Sequence, residues 1–241
     1  MRSLACAVVV ALFTAGSGGV ATAQTAPAVS QPASPAPSPG LPAGLIGTWD
    51  ATNRSHGGIG STVILGSDSA FVLVLGAMVD GNYRVNGEDF TIIGEDQGGG
   101  RRLTETQKLT FAGDTAVLSM KGCAMKLTPL EAGIPAKSLV GRWRMIHITG
   151  VPAYEEFSTD GSVRLRVPMV VQKGTYRVSA DSIAFHTITP RPEDWVAAFT
   201  ITGDTLTVSN SLGQHRYLRA RELIPMQVQQ PAPPARMLCK F

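Results

Sequence analysis

Four histidines are the residues most able to build a metal or acid–base centre: His56, His147, His186 and His215. Three of them fall in the second half of the chain, on separate extended segments, and a curved sheet can bring separate strands together around one ion. Side chains alternate across a strand, and that alternation separates these three. His147 shares a face with Trp143 and Met145 and points inward, whereas His186 is opposite in parity to Ile183 and Phe185 and points outward. The reading is therefore no metal and no cofactor. His147 remains of interest alone, as an inward imidazole that either holds the polar head of a ligand or bonds to backbone. Glu155 and Glu156 are adjacent, so on a strand they face opposite sides and cannot work as a paired acid and base. Glu193-Asp194 lies in a proline-flanked loop and reads as solvated. No serine carries a Gly-x-Ser-x-Gly elbow. Gly98-Gly99-Gly100-Arg101-Arg102 lacks the Lys-Ser/Thr ending and following helix of a phosphate loop, and reads as a hairpin loop. With neither nucleophile nor acid–base pair, the expectation is a protein that is not an enzyme.

The address is more legible than the chemistry. Arg2 precedes an unbroken apolar run from Leu4 to Phe13, and Ala21-Thr22-Ala23 forms an A-x-A cleavage pattern before Gln24. Residues 1–23 thus read as a signal peptide, and the mature chain as secreted or periplasmic. No other stretch approaches membrane length, so no transmembrane segment is expected in the mature chain. Cys6 leaves with the signal. In an oxidising compartment the two remaining thiols, Cys123 and Cys239, are a possible disulfide pair, with two independent thiols as the alternative. Residues 24–44, rich in Pro, Ala and Ser, cannot bury a core and read as an extended linker. Residues 224–241 form a similar Pro-rich tail. The formal net charge is only +3, with Leu45–Lys137 at −2 and Ser138–Glu222 at +2. Neither half has the basic stripe that nucleic acid needs, and 3 Trp, 4 Tyr and 8 Phe, several on inward parities, make no stacking platform for bases or sugars.

The elements that must position these residues come as an internal repeat. Gly47-Thr48-Trp49, Gly81-Asn82-Tyr83 and Gly113-Asp114-Thr115 recur as Gly141-Arg142-Trp143, Gly174-Thr175-Tyr176 and Gly203-Asp204-Thr205, at offsets of 94, 93 and 90 residues. Within each copy apolar residues recur with a period of two. Trp143 and Met145 alternate with Arg144; Val163, Leu165 and Val167 alternate with Arg164 and Arg166; Trp195, Ala197, Phe199 and Ile201 share one parity. The pattern predicts strands near 48–53, 61–65, 70–75, 77–85, 89–94, 103–111, 115–120 and 122–128. In the second copy it predicts them near 142–148, 153–158, 162–167, 170–178, 182–189, 195–202, 205–210 and 214–221. Residues 70–75 are apolar on both parities, so Val72 and Val74 should pack against the other repeat or the tail.

A Gly-x-Trp opening the first strand of an eight-stranded meander resembles the lipocalin-like, or calycin, β-barrel domains. The second copy adds Phe157-Ser158-Thr159-Asp160-Gly161, Gly203-Asp204-Thr205-Leu206 and Tyr217-Leu218-Arg219. The resemblance covers both repeats and neither tail. It implies an all-β fold of two tandem small antiparallel up-and-down β-barrels of about eight short strands each, over residues 45–133 and 138–223. It also implies that the Trp plugs one end of its barrel with a late Arg over the ring, here Arg219 over Trp143. The first repeat ends in Cys123-Ala124-Met125-Lys126, without that Arg.

Lipocalin-like barrels often hold a small apolar molecule, and a barrel of this strand number is either filled by side chains or wide enough for one such ligand. Function is therefore expected to be non-enzymatic binding of a small apolar ligand in the second barrel. Trp143, His147, Tyr176, Phe185 and Phe199 would line it. The alternative is a structural or protein-interaction module, accessory or inhibitor-like, with an envelope protein as partner.

Overall fold

A computed structural model describes residues 41–42, 44–55, 58–95, 102–120, 122–147, 149–211, 213–229 and 231. The expected signal peptide, nearly all of the linker, His56, Gly98–Arg101, Cys239 and most of the C-terminal tail lie outside the described residues. The described part is all antiparallel β-structure, with no helix. The first repeat supplies β1 (Gly47–Ala51), β2 (Ile59–Leu65), β3 (Ala70–Asn86), β4 (Asp89–Glu95), β5 (Arg102–Ala112), β6 (Thr115–Met120) and β7 (Cys123–Pro129). The second supplies β8 (Gly141–Ile146), β9 (Pro152–Phe157), β10 (Ser162–Val178), β11 (Ser182–Thr189), β12 (Glu193–Thr202), β13 (Thr205–Asn210) and β14 (Gly213–Ala220).

Each strand pairs with the next in sequence, and β14 returns to pair with β1, with Trp49 opposite Arg219. The result is one ring-like sheet of 14 strands, which corrects the expectation of two tandem barrels of about eight strands each. The physical reason lies in two strands of 17 residues. The expected pairs 70–75/77–85 and 162–167/170–178 each run on as a single strand, β3 and β10. Gly76 does not turn the chain. It lets another strand approach, since a Cβ there would lie 2.1 Å from the carbonyl oxygen of Val167. Pro168 is absorbed in a bulge, where its missing N–H costs no ladder bond.

β3 and β10 also pair with each other across the ring, from Ala70 opposite Thr175 to Asn82 opposite Ser162. This brace pinches the ring into two lobes that share both long strands. Lobe I is walled by β4 to β9, the C-terminal half of β3 and the N-terminal half of β10; lobe II by β11 to β14, β1, β2 and the remaining halves. The pairing therefore does not follow the repeat boundary. Lobe I packs Phe90, Leu109, Leu118 and Leu127 of the first repeat around Trp143, Met145 and Phe157 of the second. Lobe II packs Ile183, Phe185, Ala197 and Leu206 of the second around Trp49, Leu65 and Phe71 of the first.

A third apolar cluster lies on the outer face at the pinch. Val72 and Val74 meet Val171 and Tyr154 of the other repeat and are covered by Leu223, Ile224 and Val228 of the chain beyond β14. Both expected partners of that strand are thus present. Beside this cluster the outer faces of the lobes are tied by charge. Arg166, 3% exposed, donates to Asp50 Oδ2 at 2.7 Å and to Asp80 Oδ1 at 2.7 Å. Arg164 and Arg221 converge on Glu156, with Arg221 Nη1 3.0 Å from Oε1. Burial opposes the charge on Arg166, but the two aspartates outweigh it and hold the guanidinium pKa above its ordinary value.

Candidate functional site

Lobe II holds the best-defined interior space. Alternation turns Val63, Leu73, Phe185, Trp195, Phe199 and Tyr217 inward, and between them lies an apolar cavity of about 40 Å³. Phe185 and Trp195 sit opposite each other on β11 and β12 with their rings stacked, centroids 3.9 Å apart. One end of the lobe is closed by Trp49, whose indole N–H donates to the Leu45 carbonyl at 2.8 Å. The Arg219 guanidinium lies over that ring, 4.2 Å from its centre, and donates to the Ile46 carbonyl at 3.0 Å. The Arg–Trp contact drawn from the resemblance exists, but with Trp49 rather than Trp143, because β1 and not β8 is the neighbour of β14.

The next inward positions along the same strands are Ser61, Leu75 and His215. They line a surface recess of about 180 Å³ with Asn53, Ile59 and Arg216. Leu75 is 46% exposed there. Cavity and recess are thus successive layers of one lobe. Between them Ser61 Oγ lies 3.4 Å from the Tyr217 hydroxyl. Burial holds the pKa of the Tyr217 hydroxyl above its ordinary value, with Ser61 pulling the other way.

Of the five residues expected to line one site, the structure gathers three. Phe185 and Phe199 border the cavity. Tyr176 packs beside Phe185 at a centroid distance of 6.3 Å and donates its hydroxyl proton to the Gly66 carbonyl at 2.7 Å. Burial first, and Asp68 second, push its pKa up to about 12, so it stays a neutral donor. Trp143 and His147 belong to lobe I. Trp143 is buried with its N–H on the Leu139 carbonyl at 2.6 Å, the counterpart of Trp49 on Leu45. His147 follows β8, half-buried, with Nδ1 2.9 Å from Thr149 Oγ1, and burial lowers its pKa. The two groups separate because β8 and β9 of the second repeat cross into lobe I. Trp195 and Leu73 were missing from the expected set. The shared parity of Trp195 with Phe199 was a usable signal for the first; nothing local marks Leu73, which arrives from the other repeat.

The remaining candidates do not form a centre. His186 is exposed, 2.6 Å from Asp194. Among the described residues no three of His, Cys, Asp or Glu converge as metal ligands would. No helix among them is long and apolar enough to cross a membrane.

Glu155 is the unexpected interior residue. It lies in lobe I, 3% exposed, and its Oε2 has no hydrogen-bond partner among the described residues. Burial alone pushes its pKa up to about 8. Across three neighbouring strands lobe II reads Trp49, Val63, Leu73, and lobe I reads Trp143, Glu155, Leu165. Glu155 therefore takes the place that Val63 has beside the apolar cavity.

No protein-family model, curated protein or solved structure matches this chain.

Proposed function

We propose that this is a secreted or periplasmic, non-enzymatic protein that binds a small apolar molecule in lobe II, as lipocalin-like barrels do. The observation that carries the reading is the apolar cavity bordered by Phe185, Trp195 and Phe199 and lying directly under an open recess. Pockets for drug-sized ligands occupy about 300–1,000 Å³. A cavity of about 40 Å³ takes something slimmer, such as the end of an alkyl chain. Its polar end would meet Ser61, His215 and Arg216 at the recess. Tyr176 acts here as a support, fixing Phe185 from behind. A Cys123–Cys239 bridge belongs to the same proposal, as does cleavage before Gln24.

The test is native mass spectrometry of the mature protein from its own secreted or periplasmic fraction, followed by titration with n-octanol. Added mass that dissociates on activation, and an octanol-dependent change in tryptophan emission lost in Phe199→Trp, are the expected results. A bare mass together with no response to octanol removes the reading. A second reading, a structural or protein-interaction module of the envelope, draws on the small size of that cavity. It predicts the bare mass and a crosslinked envelope protein.

A further inference from the structure

We propose that the ligand of lobe II is a neutral carbonyl compound with an alkyl chain, whose oxygen accepts the hydroxyl proton of Tyr217. This rests on the reading of lobe II as a binding site and names the chemistry that the site selects.

Tyr217 is the one side-chain hydroxyl among the described residues that line the cavity, where Phe199, Leu206 and Val208 are its company. It is 8% exposed. Ser61, which lines the recess, donates to the Tyr217 oxygen at 3.4 Å. An ordinary O–H···O bond spans about 2.5–3.0 Å, so this contact is a long one. The Tyr217 proton itself meets no acceptor among the described residues. A buried donor without an acceptor carries the full cost of its desolvation. A ligand oxygen entering from the recess would remove that cost.

The sister lobe shows what packing alone would put there. Leu206 pairs with Tyr217 between β13 and β14 as Ala116 pairs with Leu127 between β6 and β7, so Leu127 is the counterpart of Tyr217. Ser61 stands two residues before Val63, as Ala153 stands two before Glu155. Leu127 and Ala153 are both fully buried. Lobe I thus closes over two apolar groups where lobe II sets two hydroxyls between a cavity and an open recess.

The same geometry selects the head group. Two hydroxyl donors match the two lone pairs of a carbonyl oxygen, and a carbonyl brings no proton that would need an acceptor of its own. No charged side chain is among the described residues lining the cavity. His215 and Arg216 line the recess only, Arg216 from the parity opposite to Tyr217. A carboxylate at the level of Tyr217 would be buried without a countercharge, a cost that a neutral carbonyl avoids.

Titration of the full chain at neutral pH with octan-2-one, oct-1-ene and octanoate, read by tryptophan emission, tests this. Octan-2-one should bind at least about tenfold more tightly than either of the others. Tyr217→Phe, which keeps the ring, should bring octan-2-one to the affinity of oct-1-ene and leave oct-1-ene unchanged. In the wild type the carbonyl stretch of bound octan-2-one should lie below its value in hexane, which reads the hydrogen bond without any variant. Equal affinity for octan-2-one and oct-1-ene, a preference for octanoate, a preference that survives Tyr217→Phe, or a hexane-like carbonyl stretch overturns the inference and leaves lobe II an apolar site. No response to any of the three compounds removes the reading of lobe II, and this inference with it.

Discussion

The Arg219 guanidinium rests 4.2 Å above the Trp49 ring, which joins the last strand of the second repeat to the first strand of the first. A repeat protein whose copies folded separately would have put that arginine over Trp143. The exchange is reciprocal: each lobe takes its Gly-x-Trp strand from one copy and most of its wall from the other. The repeats are complementary parts of one sheet, and β3 with β10 is the shared spine.

Arg219→Met should lower stability by about 1–2 kcal/mol, from the cation–π contact and the bonds to backbone. In a double-mutant cycle by chemical denaturation the coupling should appear with Trp49→Leu and be absent with Trp143→Leu. Coupling to Trp143 instead would mean that β14 pairs with β8.

Arg166→Met should be far more costly, because Asp50, half-buried at the lobe contact, would lose its main cation and keep only the Arg164 guanidinium at 3.7 Å. Losing one member of a buried pair typically costs about 3–5 kcal/mol. Asp80 keeps Arg54. Adding Asp50→Asn to Arg166→Met should recover part of the loss, since the stranded charge is then gone. Urea midpoints at pH 7 of the three variants check this; a double variant less stable than Arg166→Met would contradict it.

Much of the wall was legible because its signals are local. The period of two placed nearly every strand, and the motif glycines have plain causes. Gly47 and Gly141 adopt φ of +133° and +136°, which a side chain resists. Gly81 and Gly174 face the carbonyls of Ile93 and His186 on the next strand. Which strand closes against which was not legible, because β1 can pair with any free edge of matching register and the choice is made 164 residues away, where Arg216 accepts from Thr52. The same non-local step split the expected site between lobes and brought in Leu73. For Glu155 the sequence shows only that it and Glu156 face opposite sides of one strand, not which of the two sides is enclosed. Only the packing of lobe I shows that its face is closed.

Gly174→Ala should be severely destabilising. A Cβ there would sit 1.9 Å from the His186 carbonyl oxygen and 2.8 Å from the Phe71 ring, so β10 and β11 would have to part. A loss of about 3 kcal/mol or more is expected. Gly87→Ala, at a turn with φ of +60° and nothing near a Cβ, should cost only about 1 kcal/mol. Thermal melts of the two variants should rank them in that order.

Glu155 sets a pH dependence of known sign. Its folded pKa, about 8, is raised above the ordinary 4.5, so the native state keeps a proton that the unfolded chain releases. Stability from this group is therefore greatest below pH 4.5. It falls as pH rises toward 8 at up to about 1.4 kcal/mol per unit, and levels off above. Glu155→Met removes the ionisation and fills the same space with an apolar chain. It should stabilise the protein by a few kcal/mol at pH 7.5 and change little at pH 4. Equal shifts at both pH values would assign the gain to packing alone.

The segment beyond β14 should behave as part of the core rather than as a tail. Ile224 is 2% exposed, wedged with Leu223 and Val228 over Val72, Val74 and Val171, and Val228 N–H closes a turn onto the Pro225 carbonyl at 2.9 Å. These residues cover the one stretch of β3 that is apolar on both faces. Ile224→Ala should cost about 2–4 kcal/mol. A chain ending at Glu222 should bind an apolar dye such as ANS, because the uncovered valines form a contiguous outer patch. The dye should respond while the lobe II cavity still accepts octanol, since that cavity lies on the opposite face of β3. A truncated chain that melts like the full one and leaves the dye dark would show that the pinch is closed by β3 and β10 alone.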